Sequence, residues 1–176
     1  MRDWMLGVII GVVTIAIVTF ATAAANAAPL TQLQAKSIYA VAYGQYKGPR
    51  EWLDEQPNIY FADQARLCDI AGLRPTCNVY GISIDGVVYL RHDLDFTTLF
   101  ATGILLHEYV HHFQWLDGKH DAVAAAVAAG NDSLACELWT ASERQAYEIQ
   151  IHVLEQAGDF VSAAQAEAIM GNLHCN

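Results

Sequence analysis

The chain has 176 residues, 54% of them apolar and 16% charged, with 19 Asp and Glu against 9 Lys and Arg and a formal net charge of −10. That length supports one domain with a sizeable core but not two. An excess of acid this large disfavours nucleic acid and anionic membrane surfaces as partners, and chiefly promotes solubility.

Arg2 precedes an uncharged apolar run from Trp4 to Phe20, and a stretch of small residues then ends in Ala25-Asn26-Ala27. This pattern predicts a signal peptide over residues 1–27, cleaved after Ala27. The same run is long enough to serve, uncleaved, as an N-terminal membrane anchor, a reading to which Asp3 in the basic region adds weight. In both cases residues 28–176 are expected outside the cytoplasm, as a secreted, periplasmic or membrane-anchored domain. Cys68, Cys77, Cys136 and Cys175 form an even set with no C-x-x-C spacing, so an exported chain should pair them as disulfides rather than gather them around a metal. The favoured pairing is Cys68–Cys77, which closes a short loop, with Cys136–Cys175 tying the last residues back to the domain.

In the mature chain, Thr31 and Gln34 make a capping box, which predicts a helix to Tyr46 stopped by Gly48-Pro49. Tyr39, Tyr43 and Tyr46 recur at helical spacing and read as a packed aromatic stripe. Arg50 to Pro57 has no clear period. Asn58 to Phe61 is short and β-prone, and Ala62 to Ala71 reads as a helix ended by Gly72. Asn78 to Ile84 alternates as a strand does, Asp85-Gly86 is a two-residue hairpin turn, and Val87 to Leu90 is the returning strand. Arg91, His92, Asp93 and Asp95 form a solvated connection in which His92 is a minor candidate for contact with a site.

The next stretch, Leu105-Leu106-His107-Glu108-Tyr109-Val110-His111-His112, contains H-E-x-x-H. On a helix, residues four apart share a face, so His107 and His111 can direct both imidazoles at one tetrahedral ion. Glu108, about 100° further round, then faces a water on that ion. Leu99, Gly103, Leu106, Val110 and Phe113 supply a core stripe that leaves His107, His111 and Gln114 on the neighbouring face. Thr97 or Asp95 is expected to cap this helix, and Asp117-Gly118 to end it. Beyond it, Asp121 to Ala129 predicts a short alanine-rich helix, and Ser133 to Ala157 a long one with a possible break near Thr140. Ala146, Ile149 and Val153 of the long helix should face the core. A last helix, capped by Ser162 with Gln165, should run to Met170 and close at Gly171. No internal repeat occurs. These elements predict an α+β fold: a mostly helical single domain with a small β-hairpin or sheet beside the H-E-x-x-H helix.

A catalytic zinc usually takes three protein ligands and keeps a fourth position for water, so two histidines need a partner. The candidates are Glu137, Glu143, Glu148 and the remaining histidines. Glu143, Tyr147 and Gln150 share one helix face, and the small Ala146 would permit close packing against the motif helix. Glu143 is preferred, with Glu148 and Glu137 as alternatives; without an upstream H-E-x-x-H, each would read simply as an exposed carboxylate.

In these residues the chain resembles the gluzincin-type zinc metallopeptidases, particularly the minimal ones, whose H-E-x-x-H helix is followed by a second helix bearing E-x-x-A-[YD]. The matching residues are His107, Glu108, His111, and Glu143 with Ala146 and Tyr147. The resemblance covers about Asn58 to Gln156, and it implies a zincin-like fold with the hairpin beside the metal. It also implies one Zn²⁺ per chain on His107, His111 and Glu143, with Glu108 as general base; it does not specify the substrate, for which a peptide or protein is the expectation. The G-x-x-H continuation of the metzincins is missing after His111. Tyr147, His152 and His112 are candidates to stabilise an oxyanion. The competing readings are an inactive zinc-binding envelope module that docks a protein partner, and a plain helical envelope protein carrying a chance motif. Glu108 favours the enzyme, because a binding module needs no carboxylate there.

Overall fold

A computed structural model describes residues 27–73 and 77–175; apart from Ala27, the expected leader lies outside them. The first helix, α1 (Gln32–Tyr46), starts at the expected capping box: the Gln34 N–H donates to Thr31 Oγ1 at 3.2 Å and the Thr31 N–H to Gln34 Oε1 at 3.0 Å. A 3₁₀ turn, Arg50–Asp54, occupies part of the segment that showed no period and delivers Trp52 to the core. Strand β1 (Asn58–Ala62) runs through Ala62, so helix α2 starts later than expected, at Gln64, and ends at Ile70; Asp63 caps it by accepting the Arg66 N–H at 2.8 Å. The hairpin is formed by β2 (Gly81–Ile84) and β3 (Val87–Arg91), antiparallel, around the Asp85-Gly86 turn in which both residues have positive φ. β1 joins the other side of β3 in parallel, giving the sheet order β1-β3-β2 and leaving β2 at an edge.

The motif helix is α3 (Leu99–Leu116), followed by α4 (Lys119–Ala128), α5 (Asp132–Gln156) and α6 (Phe160–Met170). Three expectations are corrected here. The cap of α3 is Thr98, which accepts the Ala101 N–H at 3.2 Å, because Asp95 and Thr97 are already engaged with each other in the preceding turn. Leu99 is 40% exposed and does not belong to the core stripe, whereas Gly103, Leu106, Val110 and Phe113 are buried. α6 is capped by Asp159, so Ser162 lies within its first turn and donates its N–H to Asp159. α5 runs unbroken through Thr140; its Ala146 is fully buried, and Ile149 and Val153 pack against the core from its edge.

The core forms where α1, α3 and the sheet meet, and Phe113 is its aromatic centre. Its ring lies 4.9 Å from Tyr39, 6.1 Å from Tyr43 and 5.5 Å from Tyr46, and stacks at 6.2 Å on Trp52. The tyrosine stripe of α1 is therefore structural, and the Tyr39 hydroxyl donates to the Trp52 carbonyl at 2.7 Å. Both favoured disulfides, Cys68–Cys77 and Cys136–Cys175, are formed. Two disulfides suit an oxidising environment. Among the described residues no helix is long and apolar enough to cross a membrane.

Phe113→Ala should destabilise the protein by about 3–5 kcal/mol in urea unfolding, since it empties the centre of the aromatic cluster, while Leu99→Ala should cost less than about 1 kcal/mol. Thiol titration of the denatured, unreduced protein should find essentially no free cysteine.

Candidate metal centre

The centre is built where α3 crosses α5. A Cβ on Gly103 would stand 3.2 Å from the Leu154 methyls and 3.3 Å from Gln150 Nε2, so a bare backbone on α3 and the buried Ala146 on α5 let the helices approach closely. One face of α5 then meets one face of α3. His107 and His111 lie a turn apart on α3, with Nε2 atoms 3.0 Å from each other. Glu143 of α5 reaches both, with 3.5 Å from Oε2 to His107 Nε2 and 3.4 Å from Oε1 to His111 Nε2. All three donor atoms fall within 4.8 Å of one another, so the group could hold a metal ion. Ligands at about 2.0–2.1 Å on the corners of a tetrahedron are about 3.3 Å apart, and the observed separations lie close to that value.

The other ring nitrogens decide which protonation states fit. His111 Nδ1 is 2.8 Å from Gln114 Oε1 and His107 Nδ1 is 3.1 Å from Gln150 Oε1. The Gln114 amide can be oriented with assurance, because its Nε2 donates to the Ser142 carbonyl at 2.8 Å and to Gln145 Oε1 at 3.1 Å. Its oxygen must therefore accept from His111 Nδ1–H, which leaves a lone pair on His111 Nε2 when the ring is neutral. Where Gln150 Oε1 accepts from His107 Nδ1–H in the same way, two lone pairs and a carboxylate converge on one point. Such a cluster repels itself unless a positive charge sits within it. Burial disfavours the His111 imidazolium, yet the Glu143 carboxylate overrides this and raises its pKa to about 9. Burial likewise opposes ionisation of Glu143, but His111 and His107 hold its carboxyl well below the ordinary range. A proton partly satisfies the cluster, and a metal ion does so with all three donors at once.

Comparison with protein families, with characterised proteins and with solved structures finds no match. What the centre can do is therefore read from its own atoms.

Glu108 is buried beside the ligands without being one of them. Its carboxylate lies against β2, where a Cβ on Gly81 would stand 2.8 Å from Glu108 Cγ and Oε1, and it accepts the Ser83 backbone N–H. Burial raises its pKa, opposed by His107 and His111. Tyr147 packs its ring 4.4 Å from that of His107. Three of the candidate residues do not take part. His112 turns towards the 3₁₀ turn, with Nε2 2.6 Å from the Glu55 carbonyl and its ring stacked on Trp115. His152 is exposed on α5, and His92 is exposed at the end of β3, 3.3 Å from the Ala62 carbonyl. Of the alternative third ligands, Glu148 is exposed, and Glu137 is exposed and accepts from Ser133; neither belongs to the cluster.

One residue near the centre was covered by the sequence reading only among the remaining histidines and was not singled out. His120, in the first turn of α4, lies half-buried with its ring 6.5 Å from that of His111. Burial and His111 lower its pKa, while Asp85, Glu143 and Asp121 oppose them. Only its nearness in sequence to the end of the motif helix could have singled it out. The amide partners Gln114 and Gln150 were visible as face-sharing residues, but not as the groups that orient the imidazoles.

Gln150→Leu should weaken metal binding by about 10–100-fold, because the His107 ring loses its acceptor, while leaving the fold intact. Competition against a chromophoric chelator with zinc as the probe, alongside circular dichroism, measures both. Glu143→Ala should abolish tight zinc binding and Glu148→Ala should leave it unchanged.

Proposed function

We propose that this chain is a zinc-dependent peptidase of the gluzincin type, acting outside the cytoplasm. The observation that carries the reading is the pairing of two features at one place: a His107/His111/Glu143 donor set spaced for a tetrahedral ion, and the carboxylate of Glu108 beside it. A site that only stored metal would have no use for that carboxylate.

His107, His111 and Glu143 would hold the ion, and Gln150 and Gln114 would keep both rings turned to it. Zinc in such a setting supplies Lewis acidity, which brings water towards a pKa of about 7 and polarises a carbonyl. Glu108 is the base that takes the proton and passes it to the departing amine. Its burial suits this work, since desolvation raises the proton affinity of a carboxylate that must first accept a proton and then release it. The Ser83 N–H and the bare Gly81 backbone fix where that carboxylate stands.

A peptide substrate fits the surroundings. Among the described residues β2 pairs with β3 alone, so its other edge can offer main-chain groups to an extended chain, and its Gly81 end lies against Glu108. Strand addition there would bring a backbone carbonyl alongside the centre in a defined register. The two disulfides support a place outside the cytoplasm.

The purified protein should contain about one zinc per chain by elemental analysis. Glu108→Gln should retain that zinc while hydrolysis of a peptide library falls by about 10²–10⁴-fold. His111→Ala should lose metal and activity together. Wild-type protein that holds zinc yet cleaves nothing across a broad library would replace the peptidase by a zinc-dependent binding module.

A further inference from the structure

Ala28 is the first residue of the described chain that is fixed to the domain. Ala27 before it is exposed, whereas Ala28 is half-buried and bonded on both sides. Its N–H donates to Asp95 Oδ1 at 3.2 Å, and its carbonyl accepts the Phe96 N–H at 3.2 Å. Two residues on, Leu30 packs against the core, and Thr31 then caps α1. The Gln34 side chain closes the junction by donating to the Phe96 carbonyl at 3.1 Å.

Asp95 has a second set of duties. The oxygen that receives Ala28 also accepts the Thr97 N–H at 3.0 Å and the Thr97 hydroxyl at 2.8 Å, and these bonds hold the carboxyl below its ordinary pKa. The Asp95 carbonyl accepts both the N–H and the hydroxyl of Thr98, the residue that caps α3. Ala28, Asp95 and the start of the H-E-x-x-H helix are thus one hydrogen-bonded unit.

On the signal-peptide reading of residues 1–27, rather than the anchor reading, the leader would be cleaved between Ala27 and Ala28, with small residues at Ala25 and Ala27. Hydrolysis by an exported leader peptidase consumes one water: the Ala27 carbonyl carbon gains the hydroxyl and leaves as a carboxylate, and the Ala28 nitrogen takes the proton. An α-amine with an ordinary pKa of about 7.7–8.0 is then charged at neutral pH. We infer that this cleavage converts the Ala28 amide into an ammonium ion seated on Asp95, so that processing itself adds an ion pair at the entry to α3. The cut falls where it frees a charge at the place already shaped to receive it. One residue earlier or later, the new terminus would miss the carboxylate.

The inference does not depend on catalysis and can be tested on exported full-length protein. N-terminal sequencing and intact mass should give a mature chain beginning at Ala28. A Gly inserted between Ala27 and Ala28 moves the ammonium outward by one residue, and should lower Tm by about 1–3 °C, the range expected of an exposed pair in a domain of this size. The same insertion in Asp95→Asn protein should produce no further loss. Should Asp95→Asn fail to fold, the wild-type α-amine suffices: its pKa, followed by NMR after labelling with ¹³C-formaldehyde, should lie above the ordinary range in the folded protein and return to it in urea. A mature terminus at any other residue, equal Tm values with and without the inserted Gly, or an ordinary α-amine pKa in the folded state would each overturn the inference.

Discussion

The close crossing of α3 and α5 is the constraint on which the rest of the centre depends. Where Gly103 offers no side chain and Ala146 only a methyl, the facing residues a turn away are brought within bonding range. The consequence is electrostatic as much as steric. Imidazole nitrogens 3.0 Å apart, with a carboxylate 3.4–3.5 Å from each, are an arrangement that favours a positive charge among them, whether a proton or a metal ion. The amide pair Gln114 and Gln150 adds orientation without adding charge, so the negative charge near the histidines comes from Glu143 and Glu108.

The sheet acts on the same helix from another side. β2 lies against the face of α3 that carries Glu108, and the aromatic cluster around Phe113 secures the C-terminal part of α3 to α1 and Trp52. α3 is therefore clamped by three elements, each through a different chemistry: small-residue contact with α5, backbone contact with β2 and ring packing with α1. Residues that would act on a substrate sit on a helix with little freedom to drift, which is what positioned catalysis requires.

Much of this was legible because it is written in local patterns. The capping box of α1, the Asp85-Gly86 turn, the H-E-x-x-H spacing and the Glu143 face of α5 are relations among residues within a few positions of one another, and each is found where expected. The two disulfides match the pairing that loop closure favoured among the three possible. What escaped was settled by competition or by distance. Asp95 and Thr97 both have capping chemistry, but they bond to each other and leave the position to Thr98. Asp159, three residues before Ser162, caps α6 by accepting the Ser162 N–H, which places Ser162 inside the first turn. The parallel pairing of β1 with β3 joins segments almost thirty residues apart and has no short-range signature. His120 approaches His111 only through the turn at Gly118, which the spacing of residues does not reveal.

The bare backbone at Gly81 also limits how this chain can diverge. Its neighbours on the other face of the strand, Ile82 and Ile84, meet partly open surroundings and can exchange for other β-formers at small cost. At Gly81 even a methyl group would displace the Glu108 carboxylate. Drift along β2 should therefore run past this position while the Glu108 carboxylate keeps its place. If Glu108 acts as proposed, a side chain acquired here would move that carboxylate, so a bare backbone at Gly81 should persist wherever the proposed chemistry does.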